Sequence, residues 1–236
     1  LGTHELVFQT ERAIDTNIKG AFNVIQSCLD YKIKRVFHPT KPIFKNYWEN
    51  TYTISKITAE NFVRMFREVY NMDITVLRWM NASGPRQHVY PVRKFIPIII
   101  TQALLNENIE IYGTGNQTVD IIDVRDIANI AIKSTRNGIG KDLSKIYDVG
   151  SGHAISCNDV AEYVLKKTKS KSKISHLPMR IGEALDTKIA AKSHNELLQK
   201  INYELQYSFE DTMDACIDYM KELDINFLKK AFNFFK

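Results

Sequence analysis

The stretch "YTISKITAENFVRMFREVYNMDITVLRWMNASGP", from Tyr52 to Pro85, shows most directly how this chain folds. Its first half places apolar residues at helical spacing, which predicts a helix from about Tyr52 to Tyr70. The run "DITVLRWMNA", which begins at Asp73, is mainly apolar and stops before a Gly-Pro breaker, which predicts a buried strand. A helix followed at once by a buried strand is typical of an α/β protein.

The same alternation continues on both sides of this stretch. A helical pattern, "AIDTNIKGAFNVIQSCLDY", precedes the short strand pattern "KRVFH", and "PIIITQALL", "IEIYG", "VRDIANIAIKST" and "KIYDVG" follow in the same manner. Helices between apolar strands imply right-handed crossovers and a parallel sheet. We therefore expect a doubly wound, Rossmann-like α/β domain over residues 1–150. From "SGHAISCNDVAEYVLKKT" onward, residues 151–236 predict a smaller and mainly helical lobe.

Composition excludes several classes of protein. The 236 residues are 44% hydrophobic and 25% charged, as in a globular protein, and no apolar run approaches the roughly 20 residues of a membrane span. The N-terminal segment is too charged for a secretory signal. The three cysteines, Cys28, Cys157 and Cys216, lie far apart, which argues against a zinc site or a disulfide framework and fits a reducing cytoplasm, and we expect no metal.

The net charge of +5 raises the question of nucleic acid as a partner. Much of the local excess lies in "KKTKSKSK", Lys166 to Lys173, where no aromatic residues interleave with the lysines. Such a run is typical of a solvated connection rather than a stacking surface for single strands. We expect no nucleic-acid partner.

A glycine-rich turn is missing from the sequence. Dinucleotide-binding folds place such a turn before a helix, because the pyrophosphate needs close backbone approach. The chain has no GxGxxG or GxxGxxG, and "GTGNQ", which begins at Gly113, is followed by a strand pattern instead of a helix. Two interpretations stay open: the chain does not bind a dinucleotide, or its first strands lie outside the printed sequence.

Tyr52 and Lys56 lie four residues apart and therefore share one face of the predicted helix. This spacing alone is weakly informative. In order along the chain, however, "RVFHPT", "YTISK", "LRWMNASGPRQ", "EIYGTGNQTVDIIDVRD", "YDVGSG" and "PMRIGE" resemble the extended short-chain dehydrogenase/reductase family. The resemblance is to its NAD-dependent nucleotide-sugar epimerases and dehydratases.

The resemblance implies a catalytic group of Tyr52, Lys56 and Thr40. Oxidising a sugar hydroxyl needs a base that is deprotonated near neutral pH, whereas tyrosine has a reference pKa of about 10. A nearby ammonium favours the phenolate, so we expect Lys56 to lower the pKa of Tyr52. In this family the lysine also holds the nicotinamide ribose. Thr40, which closes "RVFHPT", would donate a hydrogen bond to the reacting oxygen.

Further residues receive a role by the same resemblance. Asn17, Trp79 and Met80, together with Tyr52 and Lys56, are expected at the nicotinamide, and the cofactor is NAD, with NADP left open. Asn81 follows a strand at its carboxyl end, where α/β sheets place their ligands, and is expected to contact the substrate.

The remaining substrate residues are expected to hold the nucleotide tail. They are Lys94, Phe95, Tyr112 and Arg180, the last as a guanidinium that can hold a diphosphate through two hydrogen bonds. Residues 81–115 therefore also contribute to the substrate site. One departure from the family is Val119, where many relatives carry an arginine for the diphosphate.

The order of residues after Thr40 bears on the reaction. In the family, 4,6-dehydratases carry an Asp-Glu pair there, whereas this chain has Lys41 and Pro42. This favours a nucleotide-sugar epimerase that oxidises C4 transiently and then returns the hydride. A 4,6-dehydratase, a reductase or a decarboxylase of the same family stays open, and so does a non-catalytic nucleotide-binding module. The loop "KPIFKNYWENT" is shorter than in the family.

The resemblance also implies a homodimer, formed through the helix that carries Tyr52 and the neighbouring helix.

Overall fold

The computed structural model describes residues 2–43, 50–183, 190–192 and 194–235. Its helices are α1 (Thr3–Val7), α2 (Thr10–Ala13), α3 (Gly20–Asp30), α4 (Thr51–Tyr70), α5 (Phe95–Leu104), α6 (Val124–Arg136), α7 (Cys157–Thr168), α8 (His194–Lys200), α9 (Phe209–Lys221) and α10 (Ile225–Phe234). Its strands are β1 (Val36–Thr40), β2 (Ile74–Trp79), β3 (Asn81–Ser83), β4 (Ile109–Tyr112), β5 (Thr118–Val119), β6 (Ile121–Asp123), β7 (Tyr147–Val149), β8 (Ile155–Ser156) and β9 (Ile174–Leu177). A π-helical stretch, Ile14–Lys19, joins α2 to α3, and a 3₁₀ turn covers Ile139–Lys141.

The central sheet is parallel, with the strand order β1-β2-β7. Its register sets Thr40 beside Arg78 and Trp79 beside Val149, so the carboxyl ends of the three strands lie along one edge. The parallel sheet with helices between its strands confirms the predicted Rossmann-like α/β class. Ligands of such sheets bind outside this edge. Two predicted site residues lie there, because Thr40 ends β1 and Asn81 follows β2.

Helix α4 forms where the sequence predicts it, because both of its ends are capped. The Asn50 side chain accepts a hydrogen bond of 2.6 Å from the Thr53 amide, and the left-handed Asn71 ends the helix. Val63 and Phe66 bury the inner face of α4 against β2. Full burial of each such side chain contributes about 1.5–3 kcal/mol, so the helix is held firmly against the sheet.

A second core lies beside the central sheet. It is formed by α5, α7, α9, α10 and β4, with Ile99, Val160 and Met213 fully buried inside it. Strand β4 pairs in parallel with β9, and β5 pairs in antiparallel with β8. Residues on both sides of position 150 therefore share sheets and core. The boundary between residues 1–150 and 151–236 stays a prediction.

Candidate functional site

A cavity of about 650 Å³ opens at the carboxyl edge of the sheet. Its wall brings together eight of the predicted site residues, which come from α4, the end of β2, the start of α5, β4 and the segment after β9: Tyr52, Trp79, Met80, Asn81, Lys94, Phe95, Tyr112 and Arg180. Thr40, Lys56 and Asn17 are not among the lining residues. The cavity is large enough for a ligand of nucleotide-sugar size, and pockets of this volume are typical of small-molecule sites.

Tyr52 occupies the first turn of α4, at the wall of the cavity. Burial raises the pKa of its hydroxyl, because the phenolate would lose hydration. The Lys56 ammonium donates a 2.9 Å hydrogen bond to the backbone carbonyl of Pro39, and burial lowers its pKa against the opposing effect of Glu60. The expectation that Lys56 lowers the pKa of Tyr52 is therefore wrong for this arrangement. Desolvation of the phenolate by burial determines the direction in which the pKa of Tyr52 shifts.

Thr40 closes β1, as the sequence predicts. Its side chain is 5% exposed, and its hydroxyl has no hydrogen-bond partner among the described residues. His38, two residues earlier, is likewise buried, and its Nε2 has no described partner. Burial and the charge of Lys56 lower the pKa of His38 to about 4, so it is neutral at physiological pH. A buried hydroxyl without a partner is uncommon in scaffold positions and is a feature of ligand sites.

Asn17 lies in the π-helical stretch and contacts α4. Its amide donates a 2.9 Å hydrogen bond to Ser55, whose hydroxyl donates at 2.9 Å to the carbonyl of Tyr52. Asn17 thus supports the first turn of α4 from behind. Its predicted contact with nicotinamide stays a prediction.

The end of β2 forms part of the cavity wall. The Trp79 ring packs against Phe37 with 6.1 Å between the ring centroids, and Met80 follows it. The Asn81 amide donates a 2.9 Å hydrogen bond to the carbonyl of Asp120, which fixes the backbone and leaves the Asn81 side chain exposed at the wall. The strand breaks at Met80, so the predicted run from residue 73 to 82 forms two strands, β2 and β3.

Another part of the cavity wall is built around the ring of Tyr112. The guanidinium of Arg180 lies 4.6 Å from the centroid of Tyr112, and that of Arg93 lies 5.3 Å from it. Arg180 also forms a two-point ion pair with Glu183, and Arg93 donates a 2.9 Å hydrogen bond to Glu110. Both guanidinium groups are therefore already held in place by carboxylates at the cavity wall.

Lys94 and Phe95 lie at the start of α5, on the same side of the cavity. Lys94 is the N-cap residue of the helix, and Phe95 is its first residue. Both line the cavity, as the resemblance implies. Their contact with a nucleotide stays a prediction.

Several lining residues escaped the sequence-based prediction. The most important is Lys41, whose ammonium donates a 2.7 Å hydrogen bond to the Thr53 hydroxyl and lies 5.5 Å from the centroid of the Tyr52 ring. Burial lowers the pKa of Lys41 to about 8. Arg93 and Gln117 are two further examples, and the Gln117 side-chain oxygen is buried with no described partner. Lys41 and Arg93 each adjoin a predicted residue, which is the only signal that the sequence offered.

Asp120 is a buried carboxylate whose backbone carbonyl accepts the bond from the Asn81 amide. It accepts four hydrogen bonds: from the amide and hydroxyl of Ser151 at 2.6 and 2.7 Å, from the amide of Gly152 at 3.0 Å and from the amide of Ala191 at 2.8 Å. A Cβ on Gly150 would collide with this carboxylate, at 2.4 Å from its oxygen. Gly150, the first glycine of "YDVGSG", is thus needed where the chain after β7 closely approaches Asp120, which lies between β5 and β6.

Among the described residues, no group of three or more His, Cys, Asp or Glu side chains could hold a metal ion. No helix within the described ranges is long and apolar enough to cross a membrane.

The parallel sheet, the Tyr-x-x-x-Lys helix beside its carboxyl edge and the large cavity define the class: a Rossmann-like protein of the short-chain dehydrogenase/reductase type. Residues 4–150 match the sequence profile of the NAD dependent epimerase/dehydratase family. This match covers more than half of the 236 residues, so the chain belongs to that family.

Individual relatives agree with this assignment. The chain is 28% identical over 223 residues to the low-salt glycan biosynthesis protein Agl12 of Haloferax volcanii, which covers 89% of this chain and 69% of that protein. It is 24% identical over 208 residues to a putative UDP-glucose 4-epimerase of Methanocaldococcus jannaschii, covering 81% of this chain and 66% of that one. The chain thus spans about two thirds of the length of these curated relatives.

A solved structure shares the fold. The epimerase Mth375 of Methanothermobacter thermautotrophicus superposes with a TM-score of 0.86 at 20% identity, covering 98% of this chain and 71% of that one. At this identity the likeness shows the fold.

The family's cofactor, NAD, fits the residues at one end of the cavity. Tyr52, Trp79 and Met80 form the wall there, and the partnerless Thr40 hydroxyl lies at the adjoining strand end. The sequence contains no glycine-rich turn of the GxGxxG type, so the residues that can be assigned here are those for the nicotinamide half.

Proposed function

We propose that the protein is a nucleotide-sugar epimerase that oxidises C4 of the sugar transiently and returns the hydride to the opposite face. One observation carries the proposal: a single cavity is lined both by Tyr52, its sugar end in this proposal, and by the Arg180–Tyr112 cluster, its nucleotide end. A reactive phenol and a cationic, aromatic cluster in one chamber suit a substrate with a sugar at one end and a nucleoside diphosphate at the other.

The residues at the sugar end divide the chemistry between them. Tyr52 takes the proton of the C4 hydroxyl and later returns it, while the partnerless Thr40 hydroxyl donates a hydrogen bond to the same oxygen. Burial raises the pKa of Tyr52, so this role needs a positive charge near the phenol, and the Lys41 ammonium lies 5.5 Å from the centroid of its ring. Lys56, Asn17, Trp79 and Met80 would hold the nicotinamide of NAD. When bound, NAD supplies the hydride acceptor and donor.

The nucleotide end positions the substrate. The Tyr112 ring and the start of α5, with Lys94 and Phe95, form the wall, and Arg180 is the diphosphate group's ligand in this proposal. Asn81 lies between the two ends and contacts the sugar or the adjoining phosphate. Because Arg180 is paired with Glu183, a diphosphate has to share or replace that carboxylate.

An epimerase is preferred to a dehydratase because of the residues after Thr40. Elimination of water needs an acid and a base beside the neighbouring carbons, and this chain offers Lys41 and Pro42 there. Hydride return to the other face needs only rotation of the keto sugar, so it requires no further side chain. The loop beyond Pro42 includes residues 44–49, which lie outside the described residues.

Two further properties belong to this proposal. A homodimer is supported by the exposed apolar residues on the outer faces of α3 and α4, among them Val24 and Val69 at 61% and 66% exposure. A cytoplasmic location is supported by Cys28, Cys157 and Cys216, which are all free thiols.

Product analysis in D₂O tests the reaction. The protein is incubated with NAD and UDP- or dTDP-sugars, and the products are followed by ¹H NMR. An epimerase gives the C4 epimer with no deuterium on carbon. A 4,6-dehydratase gives a deoxy keto sugar with deuterium at C5, a decarboxylase gives a pentose, and a reductase needs net reduced cofactor. Nucleotide binding without any product would instead support a non-catalytic binding module.

A further inference from the structure

We propose that Phe235, which directly follows α10, is a positioning residue for the nucleotide end of the cavity and acts through the guanidinium of Arg93. This role rests on the proposed function, because that proposal assigns the Arg180–Tyr112 cluster to the nucleotide. Phe235 is not among the residues that line the cavity. Its ring instead lies behind the wall, against a residue that does line it.

The position of the Phe235 ring is set by the second core. Leu228 and Ala231 of α10 are buried in the core that α10 forms with α5, α7 and α9. Phe235 is partly buried and packs against the same core, whereas the neighbouring Phe234 is 57% exposed. The core therefore holds the Phe235 ring in place whether or not the cavity contains a ligand.

The guanidinium of Arg93 contacts two aromatic rings. Its central carbon lies 5.8 Å from the ring centroid of Phe235 and 5.3 Å from that of Tyr112. The Arg93 side chain is only 9% exposed, and a cation–aromatic contact is stronger when it is shielded from water. Arg93 and Tyr112 both line the cavity. This guanidinium therefore links a ring of the core to a ring of the cavity wall.

An ion pair fixes the guanidinium of Arg93 at one nitrogen. Arg93 donates a 2.9 Å hydrogen bond to the Glu110 carboxylate. The Glu110 amide in turn donates a 3.3 Å hydrogen bond to the side-chain oxygen of the buried Gln102. A hydrogen bond at one nitrogen leaves the planar guanidinium free to turn, whereas stacking on a ring restricts its plane. Loss of the Phe235 ring should therefore loosen Arg93 without breaking its ion pair.

Tyr112 connects Arg93 to the ligand. The guanidinium of Arg180 lies 4.6 Å from the centroid of the same ring, and both residues line the cavity. In the proposed function, Tyr112 and Arg180 contact the nucleotide. Groups that are ordered before a ligand arrives raise its affinity, because less freedom is lost on binding. A change at Phe235 should therefore weaken nucleotide binding by the same factor whichever sugar is attached.

Binding measurements on the full chain test this without turnover. Isothermal titration calorimetry at pH 7 compares UDP, dTDP and their glucose forms. We expect Phe235→Leu to weaken binding of the nucleotide and of its glucose form about threefold each, the effect of one cation–aromatic contact. Phe235→Tyr keeps the ring and should bind like the unmodified protein. If Phe235→Leu does not fold, Phe235→Met takes its place.

Phe227→Leu is the matched control. It makes the same substitution in α10, but the ring of Phe227 packs against Tyr90, with 5.5 Å between the centroids. Its affinity for the nucleotide should therefore equal that of the unmodified protein.

A double-mutant cycle separates positioning from a purely structural role. Arg93→Met removes the guanidinium, so Phe235→Leu should cause no further loss of nucleotide affinity in that variant. A general loss of stability would not be cancelled in this way. With a nucleotide sugar that is converted, Phe235→Leu should raise KM about threefold and leave kcat unchanged, because the contact lies outside the reacting end.

The contradicting results are distinct from a failure of the proposed function. Unchanged affinity in Phe235→Leu overturns the inference, and so does a loss that persists in the Arg93→Met background. Either result leaves the epimerase proposal intact. Nucleotide binding that weakens as expected, with no product from any sugar, supports the inference and contradicts the epimerase. If neither UDP, dTDP nor their glucose forms bind, the proposed function and the inference both fail.

Discussion

Two polar regions of this molecule differ in how their hydrogen bonds are arranged. The Asp120 carboxylate accepts four bonds from Ser151, Gly152 and Ala191. In β1, the buried Thr40 hydroxyl and His38 Nε2 have no partner among the described residues. A complete set of bonds indicates scaffold, because an unpaired buried group costs free energy that folding does not recover. Missing partners at the cavity edge indicate a place where a ligand supplies them.

We expect the largest effect on stability from a substitution of Asp120, whose carboxylate accepts four hydrogen bonds. Asp120→Asn places an amide against four donors, and we expect it to lower the free energy of unfolding by about 3 kcal/mol in urea titrations. Asp218→Asn is the matched control, because Asp218 is 73% exposed in its pair with Lys221 and should change stability by about 0.5 kcal/mol or less. Equal effects of the two variants would show that the four bonds around Asp120 contribute little.

The second effect is a loss of stability in acid caused by His38. Its folded pKa is about 4, against an ordinary value of 6.5, so the unfolded chain binds more protons between these values. Stability is therefore complete above pH 6.5 and falls as the pH drops towards 4. From pH 7 to pH 5 this single group should cost about 2 kcal/mol.

His38→Gln tests that assignment. The variant should lose less stability than the unmodified protein between pH 7 and pH 5, with the difference measured by urea titrations at each pH. His153→Gln is the matched control, because His153 is exposed. An unchanged slope in His38→Gln would mean that His38 is already charged in the folded state.

The smallest effect on stability should come from Thr40. Thr40→Val removes a hydroxyl with no described partner and keeps the shape, so the free energy of unfolding should change by about 0.5 kcal/mol or less. Turnover should nevertheless fall about 100-fold, since the proposed bond to the C4 oxygen is lost. Thr40→Ser should keep most of the activity. A large loss of stability with little change in turnover would show that Thr40 has a structural role and does not act in the reaction.

The sequence predicted the parts of this comparison that depend on local pattern. Helix α4 and strand β1 with Thr40 at its end follow from periodicity and breakers, and the structure confirms them, whereas the single strand predicted over residues 73–82 forms two strands, β2 and β3. The family assignment followed from the order of the motifs and is confirmed by the profile match over residues 4–150.

What the sequence did not reveal depends on long-range contacts. The partners of Asp120 lie 31 to 71 residues away in the chain, and the β4–β9 pairing joins residues 65 positions apart, from Ile109 to Ile174. Lys41 entered the prediction only as a departure from the dehydratase pattern. Its bond to Thr53 and its place in the cavity wall are seen only in the folded structure.

The pKa of Tyr52 is the clearest error of the sequence-based prediction. Spacing alone suggests that Lys56 lowers it, but spacing does not give the burial of the phenol or the bond from Lys56 to Pro39. Burial raises the pKa of Tyr52, and the cation that the structure places over the Tyr52 ring is Lys41.

The most direct test of the proposed chemistry compares the protein with its Tyr52→Phe variant. Both are mixed with NAD and a nucleotide sugar that the unmodified protein converts, and the absorbance of reduced nicotinamide and the amount of epimer are followed. We predict a fall in turnover of about 10³-fold, with the affinity for the nucleotide sugar changed by about twofold or less. Turnover retained in Tyr52→Phe would contradict the account, because the phenol would then not be the group that moves the C4 proton.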